Sequence, residues 1–343
     1  MTPLGPGMAA ELRESPEAVE RQAEALGAVL ADLAKRLKRR PPQVVVTCAR
    51  GSSAHAATFV KHLIERHLGI PVAAAAPNIA TIYHRPLELR DQLFLAISQS
   101  GLSDDLIETA RMARAAGALT VALVNAASSP LAAACETVLP IAAGPELSVA
   151  ATKTFVASLA ALLRLTAMWT GDAAIRHACD RLPERLAEAT RLDWSEGLGV
   201  LAKSSSLVTI GRGPTLAIAR EAALKLKEIC TLHAEAFSSA EFRHGPIALV
   251  SRTYPILVLA PTDEAAPGIS DLIADLRRDG ACALVAAAGE RTTGVLPALA
   301  PEQPDADAIC LIQSFYAFLV RLAQRRGADV ERPRHLQKVT RTR

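Results

Sequence analysis

Residues 221–228 read E-A-A-L-K-L-K-E. On a helix, Lys225 and Glu228 are i and i+3 and share a face, and Glu221 lies one turn earlier on a neighbouring part of it. A glutamate beside a lysine suits general acid–base work: burial raises the carboxyl pKa, and the ammonium lowers it again towards the working pH. The same spacing also fits a solvated salt-bridge stripe, and the spacing by itself leaves both readings open. Further on, His244-Gly245-Pro246 marks a helix end with an imidazole at it.

A second stretch suits binding. Residues 97–105 read I-S-Q-S-G-L-S-D-D, directly after the apolar run Leu93–Ile97. A buried strand opening into a helix presents unpaired backbone N–H groups and the positive end of a dipole to an anion. Ser98, Ser100 and Ser103 add hydroxyls, Gln99 adds an amide, and Gly101 lets the backbone approach an oxygen closely. The plain account is a capped helix, with Ser103 as N-cap and Asp104 and Asp105 as dipole partners. That account leaves Ser98, Gln99 and Ser100 unexplained. Gly51-Ser52-Ser53 is a similar strand-to-helix turn, and ligands in open α/β sheets sit beyond the carboxyl ends of strands.

Metal chemistry has little support. Glu241-x-x-His244 has the spacing of half a carboxylate-bridged site but no second copy. His233-x-Glu235 lacks the P-C-x-x-C that zinc deaminases need. Six cysteines, none in a CxxC pair, read as reduced thiols of a cytoplasmic protein.

The elements that must hold these residues follow from periodicity. Residues 8–39 read as one or two helices, with Ser15-Pro16-Glu17 as a start signal. Val44–Cys48, Val72–Ala76, Leu93–Ile97 and Leu119–Val124 read as buried strands, with helical stretches among them: a parallel sheet wound with helices. Residues 149–195 are strongly helical. The pattern then restarts. V-T-C-A-R-G-S-S-A-H-A-A (46–57) matches V-T-I-G-R-G-P-T-L-A-I-A (208–219) at Val, Thr, Arg, Gly and Ala positions, with a constant offset of 162 from Arg50 to Arg212. The offset carries Leu93–Ile97 onto the apolar run Pro255–Leu259, but carries the serine loop onto A-P-T-D-E-A-A-P (260–267). A duplicated domain thus repeats the strand without the serines, which favours a ligand role in the first half only.

Bulk properties narrow the class. The chain has 343 residues, half of them apolar and only 3% aromatic, so Ala, Leu, Val and Ile must do the packing. A net charge of +3 and scarce aromatics argue against nucleic-acid binding. The basic run Lys35–Arg40 reads as the C-terminal end of a helix. The N-terminus carries no apolar signal region, and the greasy helix around 149–170 contains Lys153 and Arg164, so no membrane association is expected.

As a set, S-Q-S-G-L-S (98–103), V-A-A-T-K-T-F (149–155), E-A-A-L-K-L-K-E (221–228), H-A-E-A-F (233–237), E-F-R-H-G-P (241–246) and R-P-R-H-L-Q-K-V-T (332–340) resemble the sugar isomerase (SIS) domain family over nearly the whole chain. The resemblance implies an α/β fold of two tandem SIS domains, each a parallel sheet flanked by helices in a flavodoxin-like, three-layer arrangement. The implied organisation is an N-terminal helical segment (1–40), a phosphate-binding domain (41–172), a helical linker (173–197), a domain carrying the catalytic Glu and His (198–330), and a tail over the active site (331–343).

By the same resemblance Ser98, Gln99, Ser100 and Ser103 hold a sugar 6-phosphate, with Ser53 and Ala150 at the sugar hydroxyls. Glu228 moves the proton between C1 and C2, Lys225 assists it, and His244 opens the ring, serving the neighbouring subunit of a homodimer. Lys338 folds over the substrate. No metal or other cofactor is implied. The two-domain arrangement is similar to the isomerase half of glucosamine-6-phosphate synthases, with Ala151 where those carry a serine; a glutamine-hydrolysing domain is not expected before it. A-R-G-S-S (49–53) and S-V-A-A-T-K (148–153) look more like the SIS-type glucosamine-6-phosphate deaminases. The implied activity is therefore conversion of glucosamine 6-phosphate to fructose 6-phosphate and ammonia. Galactosamine-6-phosphate deamination, a fructosamine 6-phosphate deglycase, ammonia-dependent amino-sugar synthesis and a non-enzymatic phosphosugar sensor are the alternatives.

Overall fold

The repeat in the sequence is a repeat in the topology. The computed structural model describes residues 7–290 and 292–338, so Val339 and Thr340 of the tail motif lie outside the described residues. Helices α1 (Gly7–Arg13) and α2 (Ser15–Arg39) come first, the break falling just before the predicted Ser15-Pro16 start. The first half then runs β1 (Val45–Ala49), α3 (Ser52–Leu68), β2 (Val72–Ala74), α4 (Asn78–Thr81), β3 (Leu93–Ser98), α5 (Asp104–Ala115), β4 (Leu119–Val124), α6 (Pro130–Ala134) and β5 (Thr137–Pro140). Helices α7 (Lys153–Thr170), α8 (Ala173–Ala189) and α9 (Ser195–Leu201) follow. The second half runs β6 (Ser206–Gly211), α10 (Pro214–Cys230), β7 (His233–Ser238), α11 (Ser239–Arg243), β8 (Pro255–Leu259), α12 (Ala266–Arg278), β9 (Cys282–Ala287), β10 (Val295–Pro297) and α13 (Pro304–Arg325).

Each half forms a five-stranded, all-parallel sheet, ordered β2-β1-β3-β4-β5 in the first and β7-β6-β8-β9-β10 in the second. The orders are identical once the strands are renumbered, which is the doubly wound pattern with helices on both faces. The glycines at the N-cap positions of α3 and α10 keep the same backbone, Gly51 at φ 54° and ψ −135° and Gly213 at φ 57° and ψ −130°.

The described residues divide into two compact units, 17–146, 153–180 and 337–338 in one and 7–16, 147–152, 181–290 and 292–336 in the other. Helix α1 packs on α13, where the Gln313 amide donates to the Leu12 carbonyl at 2.7 Å, whereas α2 groups with the first sheet. In the first unit Phe94, Ala96, Leu106, Ala110, Ala113 and Val124 close the core between β3, β4 and α5. Small alanines on α5 let helix and sheet approach closely, as expected for a chain poor in aromatics. In the second, Ile256, Val258, Ile269, Leu272 and Leu276 do the same between β8 and α12. Each large apolar side chain so buried contributes about 1.5–3 kcal/mol.

Helix α13 is long and apolar enough to cross a membrane, yet it is buried as the core helix of its unit. Helix α7, singled out from the sequence, is likewise buried almost all round, Lys153 included. The basic run ends α2 as expected, with Arg36 paired to Glu136 and Arg40 2.5 Å from Asp91.

Candidate active site

Strand β3 ends at Ser98, and the chain reaches α5 through Gln99–Ser103. Gly101 adopts φ 64°, and a Cβ there would stand 2.1 Å from Ser129 Oγ, so only glycine fits. The loop is fixed from the β4–α6 side, where Asn125 N–H donates to the Gln99 carbonyl (3.1 Å) and Leu131 N–H to the Gly101 carbonyl (3.2 Å). Within it, Ser98 Oγ accepts from Gly101 N–H at 3.1 Å and Ser100 Oγ from Leu102 N–H at 3.3 Å. Both hydroxyls act here as acceptors, and each keeps its own proton for a further partner.

Ser103 stands at the N-cap position of α5 in an extended conformation, but its side chain makes no capping hydrogen bond. Ser129 shows the contrast: as N-cap of α6, its hydroxyl accepts from Ala132 N–H at 3.4 Å. The plain capping account of the serine loop is therefore not what the fold does. Reading Asp105 as a simple dipole partner also needs correcting. Asp105 is buried and pairs with Arg50, whose Nε and Nη2 lie 2.9 and 2.8 Å from Oδ2. An aspartate at the mouth of an anion site would repel the ligand; here an arginine from the β1–α3 turn cancels it. Strands β1 and β3 are parallel neighbours, with Ala49 opposite Ile97, so the Gly51-Ser52-Ser53 turn leaves the same sheet edge as the serine loop. Ser53 is half-buried there in the first turn of α3.

The tail lysine belongs to the same unit. Lys338 Nζ lies 3.5 Å from Glu146 Oε2, and the fully buried Glu146 also accepts from the Thr154 N–H (3.2 Å) and hydroxyl. Glu146 was not singled out in the sequence, because nothing in P-E-L marks an acid that ends up without solvent.

In the other unit, α10 carries the predicted acid–base residues. Lys225 is fully buried, with Nζ 2.6 Å from Glu228 Oε2 and 3.5 Å from Glu221 Oε1. Glu221 is fully buried and Glu228 keeps about a fifth of its side chain exposed (21%). The solvated-stripe reading of E-A-A-L-K-L-K-E is thus excluded: a stripe would put all three heads in water. The partner that sequence reasoning missed is Tyr316 on α13, whose hydroxyl donates to Glu221 Oε1 at 3.0 Å. His244 is exposed, just past the end of α11, before Gly245 at φ 149°.

Ala150 is buried in segment 147–152, and Ala151 is half-buried beside it. Two acids fasten this segment. Glu11 Oε2 accepts from Ser148 N–H (3.2 Å), and Glu331 accepts from the Ser148 hydroxyl (3.2 Å) and from Met8 N–H (2.8 Å).

Cysteine chemistry has no foothold. Burial pushes the Cys48, Cys179, Cys230 and Cys310 thiols up to about 12 and Cys135 to about 11, so thiolate is scarce at neutral pH. Among the described residues, no group of three His, Cys, Asp or Glu side chains is arranged to hold a metal ion.

The SIS domain profile matches residues 40–168 and 200–292, one stretch in each half. A glutamine–fructose-6-phosphate aminotransferase (isomerizing) from Bradyrhizobium diazoefficiens is 35% identical over 309 residues, covering 84% of this chain and 50% of that protein. The chain spans about half the length of the curated relatives it matches. A solved structure of a candidate phosphosugar isomerase from Silicibacter pomeroyi DSS-3 is 43% identical, with a TM-score of 0.89, over 94% of this chain and 99% of that one. The C-terminal domain of glucosamine-fructose-6-phosphate aminotransferase from Francisella tularensis is 25% identical with a TM-score of 0.81, over 95% and 98%.

Proposed function

Because this chain belongs to the SIS domain family, we propose that it is a phosphosugar isomerase, and that its reaction is the deaminating isomerisation of glucosamine 6-phosphate to fructose 6-phosphate and ammonia. The observation that carries the reading is the buried Lys225 ammonium 2.6 Å from the part-exposed Glu228 carboxylate. A carboxylate held beside a fixed cation, with one edge open, can take a carbon-bound proton and return it.

In this reading the 6-phosphate takes the hydroxyls of Ser98, Ser100 and Ser103, the Gln99 amide and the N–H groups that open α5. Ser53 and the backbone around Ala150 meet the sugar hydroxyls. His244 protonates the ring oxygen and opens the ring; its exposure suits service to the site of a second copy in a homodimer. Glu228 removes the C2 proton, giving an enolamine, and returns a proton to C1. The resulting C2 imine adds water and expels ammonia, leaving the 2-ketone. Lys225 holds the Glu228 carboxylate in place through their 2.6 Å contact. Lys338 covers the bound sugar, in place of its present contact with Glu146. The direction of reaction is supported by the likeness of residues 49–53 and 148–153 to SIS-type deaminases.

The test is ammonia and ketose release across a panel of amino-sugar 6-phosphates, with the galactosamine and fructosamine compounds included. Glucosamine 6-phosphate is expected to be turned over best, and Glu228→Gln to lose at least about 100-fold in kcat. Full activity in Glu228→Gln, or a wild type that binds phosphosugars and turns over none, would sink the proposal; the second outcome would favour a sensor. Mixing Glu228→Gln with His244→Ala chains should restore part of the activity if the histidine serves its neighbour.

A further inference from the structure

The ammonium of Lys225 is divided unequally between its two carboxylates. It lies 2.6 Å from Glu228 and 3.5 Å from Glu221. Burial alone would reverse that order, because a fully buried carboxylate attracts a cation more strongly than one partly in water. A third group touches the pair. Tyr316 donates its hydroxyl to Glu221 Oε1, the same oxygen that faces Lys225. Tyr316 is fully buried, and its ring is held against Phe315 at a centroid distance of 6.3 Å, so the hydroxyl has little freedom to move elsewhere. A buried phenol needs an acceptor in any case. That need does not explain why the acceptor is the one oxygen that competes for the lysine.

We propose that Tyr316 is a positioning residue of the proton-transfer pair: by donating to Glu221 Oε1, its hydroxyl leaves the Lys225 ammonium weighted towards Glu228. This rests on the reading of Glu228 as the group that carries the proton. Without the hydroxyl, Glu221 holds its charge in a dry site with one donor fewer, and Lys225 is drawn inward to it. Glu228 then loses its nearest cation and the contact that fixes its carboxylate.

The experiment uses the full chain with Tyr316→Phe, Glu221→Gln and the double variant. The phenylalanine keeps the ring and removes only the donor. With glucosamine 6-phosphate, Tyr316→Phe should lower kcat about tenfold, the worth of one hydrogen bond to a charged group, and leave KM within about twofold. The isotope effect with C2-deuterated substrate should rise, because proton transfer becomes the slower step. In the Glu221→Gln background, where the competing charge is gone, adding Tyr316→Phe should change kcat less than about twofold. A crystal structure of Tyr316→Phe should show Lys225 Nζ closer to Glu221 than to Glu228. An equal loss of kcat in both backgrounds, or a Lys225 that keeps its short contact to Glu228 in Tyr316→Phe, overturns the proposal. If wild type turns over none of the panel, the catalytic reading fails while the crystallographic arm still decides the positioning. Should Tyr316→Phe not fold, the structure of Glu221→Gln decides: Lys225 is expected to stay on Glu228, and a Lys225 that leaves it overturns the idea of competition.

Discussion

The serine loop at 98–105 and its counterpart at 260–267 leave equivalent strands, β3 and β8, and enter equivalent helices, α5 and α12, yet they handle negative charge in opposite ways. In the first, the hydroxyls of Ser98 and Ser100 accept from their own loop, Ser103 leaves the helix end uncapped by its side chain, and the nearby acid Asp105 is tied to Arg50. In the second, Thr262 stands at the position of Ser100, and its hydroxyl donates to Asp307 at 2.6 Å. The same carboxylate accepts from the buried Arg185 (2.6 Å) and from Glu302 N–H (3.2 Å). A carboxylate of the chain therefore holds, in the second half, the kind of donor set that the first half offers to a ligand. Duplication kept the frame, and a few side chains set the copies apart: Asp307 takes up the donors of the second, while the Ser98 and Ser100 hydroxyls of the first each keep a proton.

That comparison can be broken or sharpened by substitution. The largest effect is expected from Asp307→Ala, which takes from the buried Arg185 guanidinium its nearest carboxylate, leaving Glu302 at 3.6 Å and the Ala300 carbonyl. Stability in urea should fall by about 3–5 kcal/mol, and inorganic phosphate should restore more of it than it adds to wild type. A variant as stable as wild type would show that Asp307 is not standing in for an anion. Next is Gly101→Ala, where a positive φ and the approach of Ser129 together should cost about 2–4 kcal/mol, read from the urea midpoint. Ser100→Ala should raise KM for the phosphosugar about tenfold, the worth of one hydrogen bond to a charged group, while Thr262→Ala leaves KM unchanged. Equal effects of the two would remove the functional distinction between the loops. Smallest is the contrast of two caps. Ser129→Ala should lose about 1 kcal/mol of stability, and Ser103→Ala well under about half of that, since no capping bond is there to lose.

Much of the fold was legible in the sequence, unevenly. The central strands β1, β3, β4, β6 and β8 are buried on both faces, and so read as apolar runs. Periodicity did not pick out β5, β7 and β10, which are sheet edges, nor β9, an inner strand only half-buried at both its ends. An edge strand has one neighbour and keeps partly exposed residues, as in H-A-E-A-F-S of β7, so its apolar signal is weak. The site divides along similar lines. Ser98–Ser103 and E-A-A-L-K-L-K-E could be singled out because they are local stretches with unusual composition. Arg50 on Asp105, Glu146 under Lys338 and Glu11 and Glu331 around Ser148 were not, because each joins segments far apart in the chain.

The sequence by itself determined the duplication, the parallel α/β class and the two stretches proposed to carry chemistry, since each is written in periodicity, offset or local composition. Tertiary structure alone decided the surroundings of those stretches. It buried Lys225 and Glu221 rather than leaving them on a solvated helix face, and it brought Tyr316 to Glu221 across 95 residues of chain. It also left Ser103 free of its cap and neutralised Asp105. The physical reason is the same in every case: a charged or hydroxyl group acquires its chemistry from its solvent exposure and its partners, and both are set by residues that only folding brings near.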